Sequence, residues 1–162
     1  MNVARFMKCR WIMTLPRNVL VPIDLGDHAA QVLDYAVVLA ARLDAKIHLL
    51  HVIGGPLLGS EIPITVSETA MDEVIASARQ ELERLAAERA GQVPFSFVEL
   101  KTGDARAVIV ATAKQFGADL IVMGTHGRRG VSRLVNGSVA EHVARTAPCP
   151  VLLVRSGTAF AP

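Results

Sequence analysis

Strand and helix patterns in strict alternation along 162 residues predict a single α/β domain: a doubly wound, five-stranded parallel sheet with helices on both faces. Three observations carry that expectation. Short all-apolar runs, such as Val19-Leu20-Val21 and Leu120-Ile121-Val122-Met123, read as strands covered on both sides. Longer stretches between them carry apolar residues at helical spacing, as in Met71, Val74, Ile75, Ala78, Leu82, Leu85 and Ala86. Apolar residues make up 51% of the chain but aromatics only 4%, so Ala, Val and Leu must fill the core, which suits helices packed on a sheet.

The elements follow in order. Strand one is expected over about 18–24 and helix one over about 28–43. Strand two is expected over about 46–52. The stretch 53–66 holds Gly54, Gly55, Pro56, Gly59 and Pro63, has no period, and is the candidate mobile lid. Helix two is expected over about 67–90, closed by Gly91, and strand three over about 95–101. Asp104 is placed to cap helix three, which should stop at Gly117. Strand four is expected over about 119–123 and helix four over about 137–147, where Pro148 and Pro150 bar its continuation. Strand five follows over about 150–155. Residues 18–156 thus form the expected domain and 157–162 a short tail. Residues 1–17 are an extension, disordered, loosely docked or preceding a later start at Met7 or Met13. Their longest apolar run is too short for a signal peptide or a membrane span.

Composition excludes several classes. A net charge of +2 without a block of like charge offers no bulk attraction to nucleic acid or to a membrane. Cys9 and Cys149 are far apart and make no metal spacing, which fits a reducing cytoplasm. None of the five histidines shows metal-ligand spacing backed by carboxylates, and His48 and His51 read as satisfied strand histidines. No P-loop, dinucleotide fingerprint, zinc-protease pattern or nucleophile elbow occurs.

The informative pattern is Gly124-Thr125-His126-Gly127, nine further residues, then Gly137-Ser138, set between strand four and helix four. Glycine at a strand's carboxyl end permits a sharp turn and the close approach of a ligand. A glycine, a Ser138 hydroxyl and the Val139 N–H at a helix mouth place donors where an anion can sit. Ser138 and Glu141 also form a capping box, and both roles use the same helix mouth. Arg128, Arg129 and Arg133 either neutralise phosphate or face solvent; His126 either donates to a phosphate or turns the loop. Asp24, ending strand one beside Pro22, either reads an adenine amino or ribose hydroxyl group or closes an Asx turn or helix cap. Val52 and Met123 are pocket walls or plain strand core.

With this motif, the chain resembles the ATP-binding branch of the universal stress proteins. Val19-Leu20-Val21-Pro22-Ile23-Asp24, His48-Leu49-Leu50-His51-Val52 and Ala147-Pro148-Cys149-Pro150-Val151-Leu152-Leu153-Val154 resemble that family's first, second and last strands. Gly103 stands where the family usually has glycine, and Ala105 where it often has proline. The resemblance implies strand order 3-2-1-4-5, which sets Asp24 and Gly124 across one crevice. It further implies ATP, with or without Mg2+ or Mn2+, held by Pro22, Asp24, Val52, Met123, Gly124, His126, Gly127, Arg129, Gly137, Ser138 and Val139. It implies a homodimer pairing strand 150–155 edge to edge, and an unidentified downstream protein. The function implied is a cytoplasmic nucleotide-dependent stress-response switch with no catalytic residues. A slow ATPase or phosphotransferase, or a nucleotide-independent interaction module, are the alternatives.

Overall fold

The computed structural model describes residues 15–54, 68–125 and 139–155. The elements are β1 (Asn18–Ile23), α1 (Ala29–Leu43), β2 (Lys46–Ile53), α2 (Glu68–Ala87), β3 (Phe95–Thr102), α3 (Ala105–Phe116), β4 (Leu120–Gly124), α4 (Val139–Thr146) and β5 (Val151–Val154). All strand pairs are parallel and the order is β3-β2-β1-β4-β5, as the resemblance implied.

Strand pleating sends alternate side chains to opposite faces, and the two faces bury separate apolar clusters. Val19, Val21, Ile47, Leu49 and Val122 meet Leu33, Val37, Leu82 and Leu85 of α1 and α2. Leu20, Leu50, Ile121 and Met123 meet Ile109 and Ala113 of α3 and Ala140 and Val143 of α4. Leu20, Leu49, Leu50 and Ile121 are wholly shielded from solvent, which is why these runs carry no polar alternation.

Helix ends follow local chemistry. The Asp104 carboxylate accepts from the Arg106 N–H at 2.8 Å, and Gly117 closes α3 in the left-handed region at φ 67°. α2 stops at Ala87, short of the expected 90. There the bonds shorten to three-residue turns, Arg89 N to Ala86 O and Ala90 N to Ala87 O. The buried Arg89 guanidinium then donates to the Leu85 carbonyl and to Asp34 on α1, tying the end of α2 to its neighbour. The described part of α4 begins at Val139, and the helix ends at Thr146, one residue early, with the Thr146 hydroxyl donating back to the His142 carbonyl. β2 runs one residue further than expected, to Ile53, and the rest of the candidate lid lies outside the described residues apart from Gly54.

At the amino ends of the central strands, one Asp119 oxygen accepts from the N–H groups of Arg17 and Asn18 at 2.8 and 2.9 Å. This fixes the start of β1 against the start of β4.

Candidate functional site

A crevice opens at the carboxyl ends of β1 and β4. β1 stays in register with β2 through Ile23↔His51, but its pairing with β4 ends at Leu20↔Ile121. Pro22 lies just beyond that point and has no N–H with which to extend a ladder. β4 meanwhile remains paired with β5 through Gly124↔Val154. The two central strands therefore part where the strand order reverses, the position at which sheets of this class take ligands.

Asp24 follows β1 at this opening and is half-buried. Its carboxylate accepts from the Gly26 N–H at 3.1 Å, an Asx turn. It does not cap α1, whose first turn begins after His28 with no side-chain cap. The turn uses one carboxylate oxygen, so the Asx-turn reading does not exclude the ligand reading. Leu25 holds a left-handed backbone, φ 56°, a strained conformation for a leucine, and its side chain packs against the α1/α2-side core. On the opposite side of Asp24, buried His51 donates from Nδ1 to the Ile23 carbonyl at 2.7 Å. The turn carrying the carboxylate is thus fixed from both flanks. Neither fixing residue was singled out as part of the site from the sequence. Leucine gives no signal of positive φ, and His51 signals only a buried strand histidine.

Val52, Met123 and Val139 come together on the α3/α4 face. Met123 is buried within that apolar cluster, and Val52 and Val139 pack against it half-buried. Pro22 is buried and Gly124 half-buried at the end of β4. Among the eleven predicted residues, His126, Gly127, Arg129, Gly137 and Ser138 lie outside the described residues, as do Arg128 and Arg133. No cluster of three or more His, Cys, Asp or Glu able to hold a metal exists among the described residues. A half-buried carboxylate beside apolar walls, where two strands part, can accept hydrogen bonds from a small ligand.

The second strand histidine departs from expectation. His48 is 5% exposed, and its Nε2 donates to the Glu99 carboxylate at 2.9 Å, but its Nδ1 is buried with no hydrogen-bond partner among the described residues. Burial holds the imidazole below its ordinary pKa, against the opposing pull of Glu99. His51 is satisfied as expected; His48 is satisfied at one nitrogen only.

The parallel sheet in this order, open at the β1/β4 switch point, defines a doubly wound α/β protein. The family description "Universal stress protein family" matches residues 16–155, and the chain belongs to that family. It is 32% identical over 146 residues to universal stress protein MJ0531 of Methanocaldococcus jannaschii, covering 87% of this chain and 83% of that one. A solved protein of the same family from Burkholderia pseudomallei superposes with a TM-score of 0.67 at 28% identity, covering 85% of this chain and 94% of that one. A universal stress protein solved in complex with cAMP shares the fold at 22% identity and a TM-score of 0.64, over 87% and 98% of the two chains.

Proposed function

We propose that this protein binds an adenine nucleotide, ATP foremost, in the β1/β4 crevice and acts as a nucleotide-dependent regulatory switch. The carrying observation is the early parting of β1 and β4 at Pro22, with Asp24 and Gly124 ending the two strands. Asp24 reads the nucleoside, Val52 and Met123 wall the base, and Gly124 with Val139 brackets the phosphate path. His126, Gly127, Arg129, Gly137 and Ser138 complete the phosphate contacts by their place in the motif. A divalent ion, Mg2+ or Mn2+, would sit among the phosphates rather than in a protein cage.

The product of binding is a conformational state, since no motif in the sequence marks a general base for hydrolysis. The cytoplasm is the proposed compartment, residues 18–156 the working domain, and an unidentified protein the receiver. No helix among the described residues is long and apolar enough to cross a membrane. The short apolar β5 lies at the sheet edge with Leu153 39% exposed, which supports pairing of two copies along it.

Calorimetric titration of ATP and of inorganic triphosphate into the full chain tests this reading. ATP should bind with micromolar affinity, and Asp24→Ala should weaken ATP while leaving triphosphate unchanged. Absence of saturable ATP binding overturns it. ADP accumulating beyond one equivalent per chain, with Mg2+ present, would replace the switch by a slow ATPase.

A further inference from the structure

At the opposite end of the strands, a cavity of about 370 Å³ lies between β3 and the last turns of α3, lined in part by Lys46, His48, Phe97, Glu99 and Phe116. Its size sits at the lower end of small-molecule sites. Four observations meet there. The β2/β3 register slips between Ile47 and His48, a bulge of the kind that re-aims side chains beside sites. The His48 imidazole is buried with Nδ1 unpaired, an unsatisfied atom that calls for a partner. Two phenyl rings stand over it: Phe97 at 5.2 Å and Phe116 at 4.8 Å between centroids, themselves 6.3 Å apart at right angles. Phe97 is nevertheless 59% exposed, a large apolar ring beside the cavity mouth.

The charges select the ligand. Glu99 is occupied by His48 and, at 3.4 Å, by Lys101, whose ammonium also donates to the Thr112 hydroxyl. Lys46 is exposed and carries no ion pair among the described residues. It lies two residues before His48 on the same strand face, about 7 Å along the backbone, so its flexible side chain can reach over the imidazole. With Nε2–H given to Glu99, Nδ1 is an acceptor and requires a donor.

We propose that this cavity is a second binding site, for a small phenolic carboxylate. The hydroxyl donates to His48 Nδ1, the ring replaces Phe97 over the imidazole and packs against Phe116, and the carboxylate reaches Lys46. Nδ1 is sealed from solvent, so entry requires the exposed Phe97 side chain to swing outward. Because the cavity lies at the amino ends of β2 and β3, occupancy should not compete with a nucleotide in the β1/β4 crevice.

The test uses the full-length protein labelled with nitrogen-15, with 4-hydroxybenzoate, benzoate and tyramine as probes and the His48 imidazole resonances as readout. 4-Hydroxybenzoate should shift Nδ1 saturably and bind roughly tenfold tighter than benzoate, which lacks the donor. Phe97→Ala, a change at an exposed position, removes the ring that the ligand displaces and should leave binding at least as tight. His48→Phe, followed by the Phe116 ring signals, should erase the preference for the hydroxyl. Added ATP should leave all of these unchanged. No saturable shift at millimolar 4-hydroxybenzoate, equal affinity for benzoate, tighter binding of tyramine, or weakened binding in Phe97→Ala overturns the proposal. None of these outcomes bears on ATP binding, so the two readings fail separately.

Discussion

The two ends of the sheet are built from different materials. At the carboxyl ends of β1 and β4, backbone dominates: a proline that withholds an N–H, a strained Leu25, and a glycine closing β4. At the amino ends of β2 and β3, side chains dominate: an imidazole, a carboxylate, an ammonium and two phenyl rings, one tilted and one edge-on to the imidazole, across strand and helix. Backbone openings leave marks in sequence as Gly and Pro at fixed spacing. Side-chain clusters assembled by register leave almost none, because each member is an ordinary strand or helix residue on its own.

The contrast is most sharply broken at Gly124. Gly124→Val adds a branched side chain at the end of β4, where the proposed nucleotide would approach, and ATP affinity should fall on the order of a thousandfold by calorimetry. The His48 resonances should not move, since they report the other end of the strands. Next in size is Gly54→Ala. A Cβ there would stand 2.8 Å from the Gly103 carbonyl, which is backbone and cannot swing aside. The Gly103 N–H also donates to the Ile53 carbonyl at 3.0 Å, so the clash strikes the junction of β2 and β3. Urea unfolding should show a loss of about 1–3 kcal/mol.

His48→Phe probes the side-chain end. It removes an unsatisfied buried nitrogen while keeping a flat ring, so stability at pH 7.5 should stay within about 1 kcal/mol of the parent. The pH profile should change more. Burial depresses the folded-state pKa below 6.5, so between the folded value and 6.5 the unfolded chain binds more protons than the native one. This group's contribution is fully present above pH 6.5 and is lost as pH falls through the interval beneath it. His48→Phe should flatten that part of the curve, and an unchanged slope would remove His48 from the account. The smallest effect belongs to Arg145→Ala. Its partner Glu141 lies one helical turn away with both side chains largely exposed, so unfolding should change by no more than about 0.5 kcal/mol. ATP affinity should be unaffected.

Much of the architecture was legible beforehand for plain reasons. Runs such as Leu120-Ile121-Val122-Met123 admit burial on both faces, and Asp104 with Gly117 brackets α3 by capping chemistry alone. Strand order was not legible from pattern; it came with the family resemblance. The end of α2 was misjudged because Gly91 suggested a stop, whereas Arg89 reaching back to Leu85 and across to Asp34 tightens the chain three residues sooner. At the crevice, Asp24 and Gly124 were legible as strand-end residues, but the flanking hold of Leu25 and His51 was not. Their roles depend on a backbone angle and on cross-strand register. His48 was read as satisfied because a sequence cannot count hydrogen bonds at each ring nitrogen.

The Asp119 carboxylate that gathers the Arg17 and Asn18 N–H groups has a consequence for how the protein is made. Asn18 and Asp119 are separated by 101 residues, yet they start the two central strands. A chain leaving the ribosome can pair β1 with β2 early, but the other flank of β1 has no partner until β4 emerges. Throughout that interval the backbone edge of Val19 and Leu20 that later pairs with Leu120 and Ile121 has no strand partner, the kind of edge that invites pairing with another chain. A pause in translation anywhere between β2 and β4 therefore exposes the middle of the molecule rather than its margin, and arrival of Asp119 is the event that closes it.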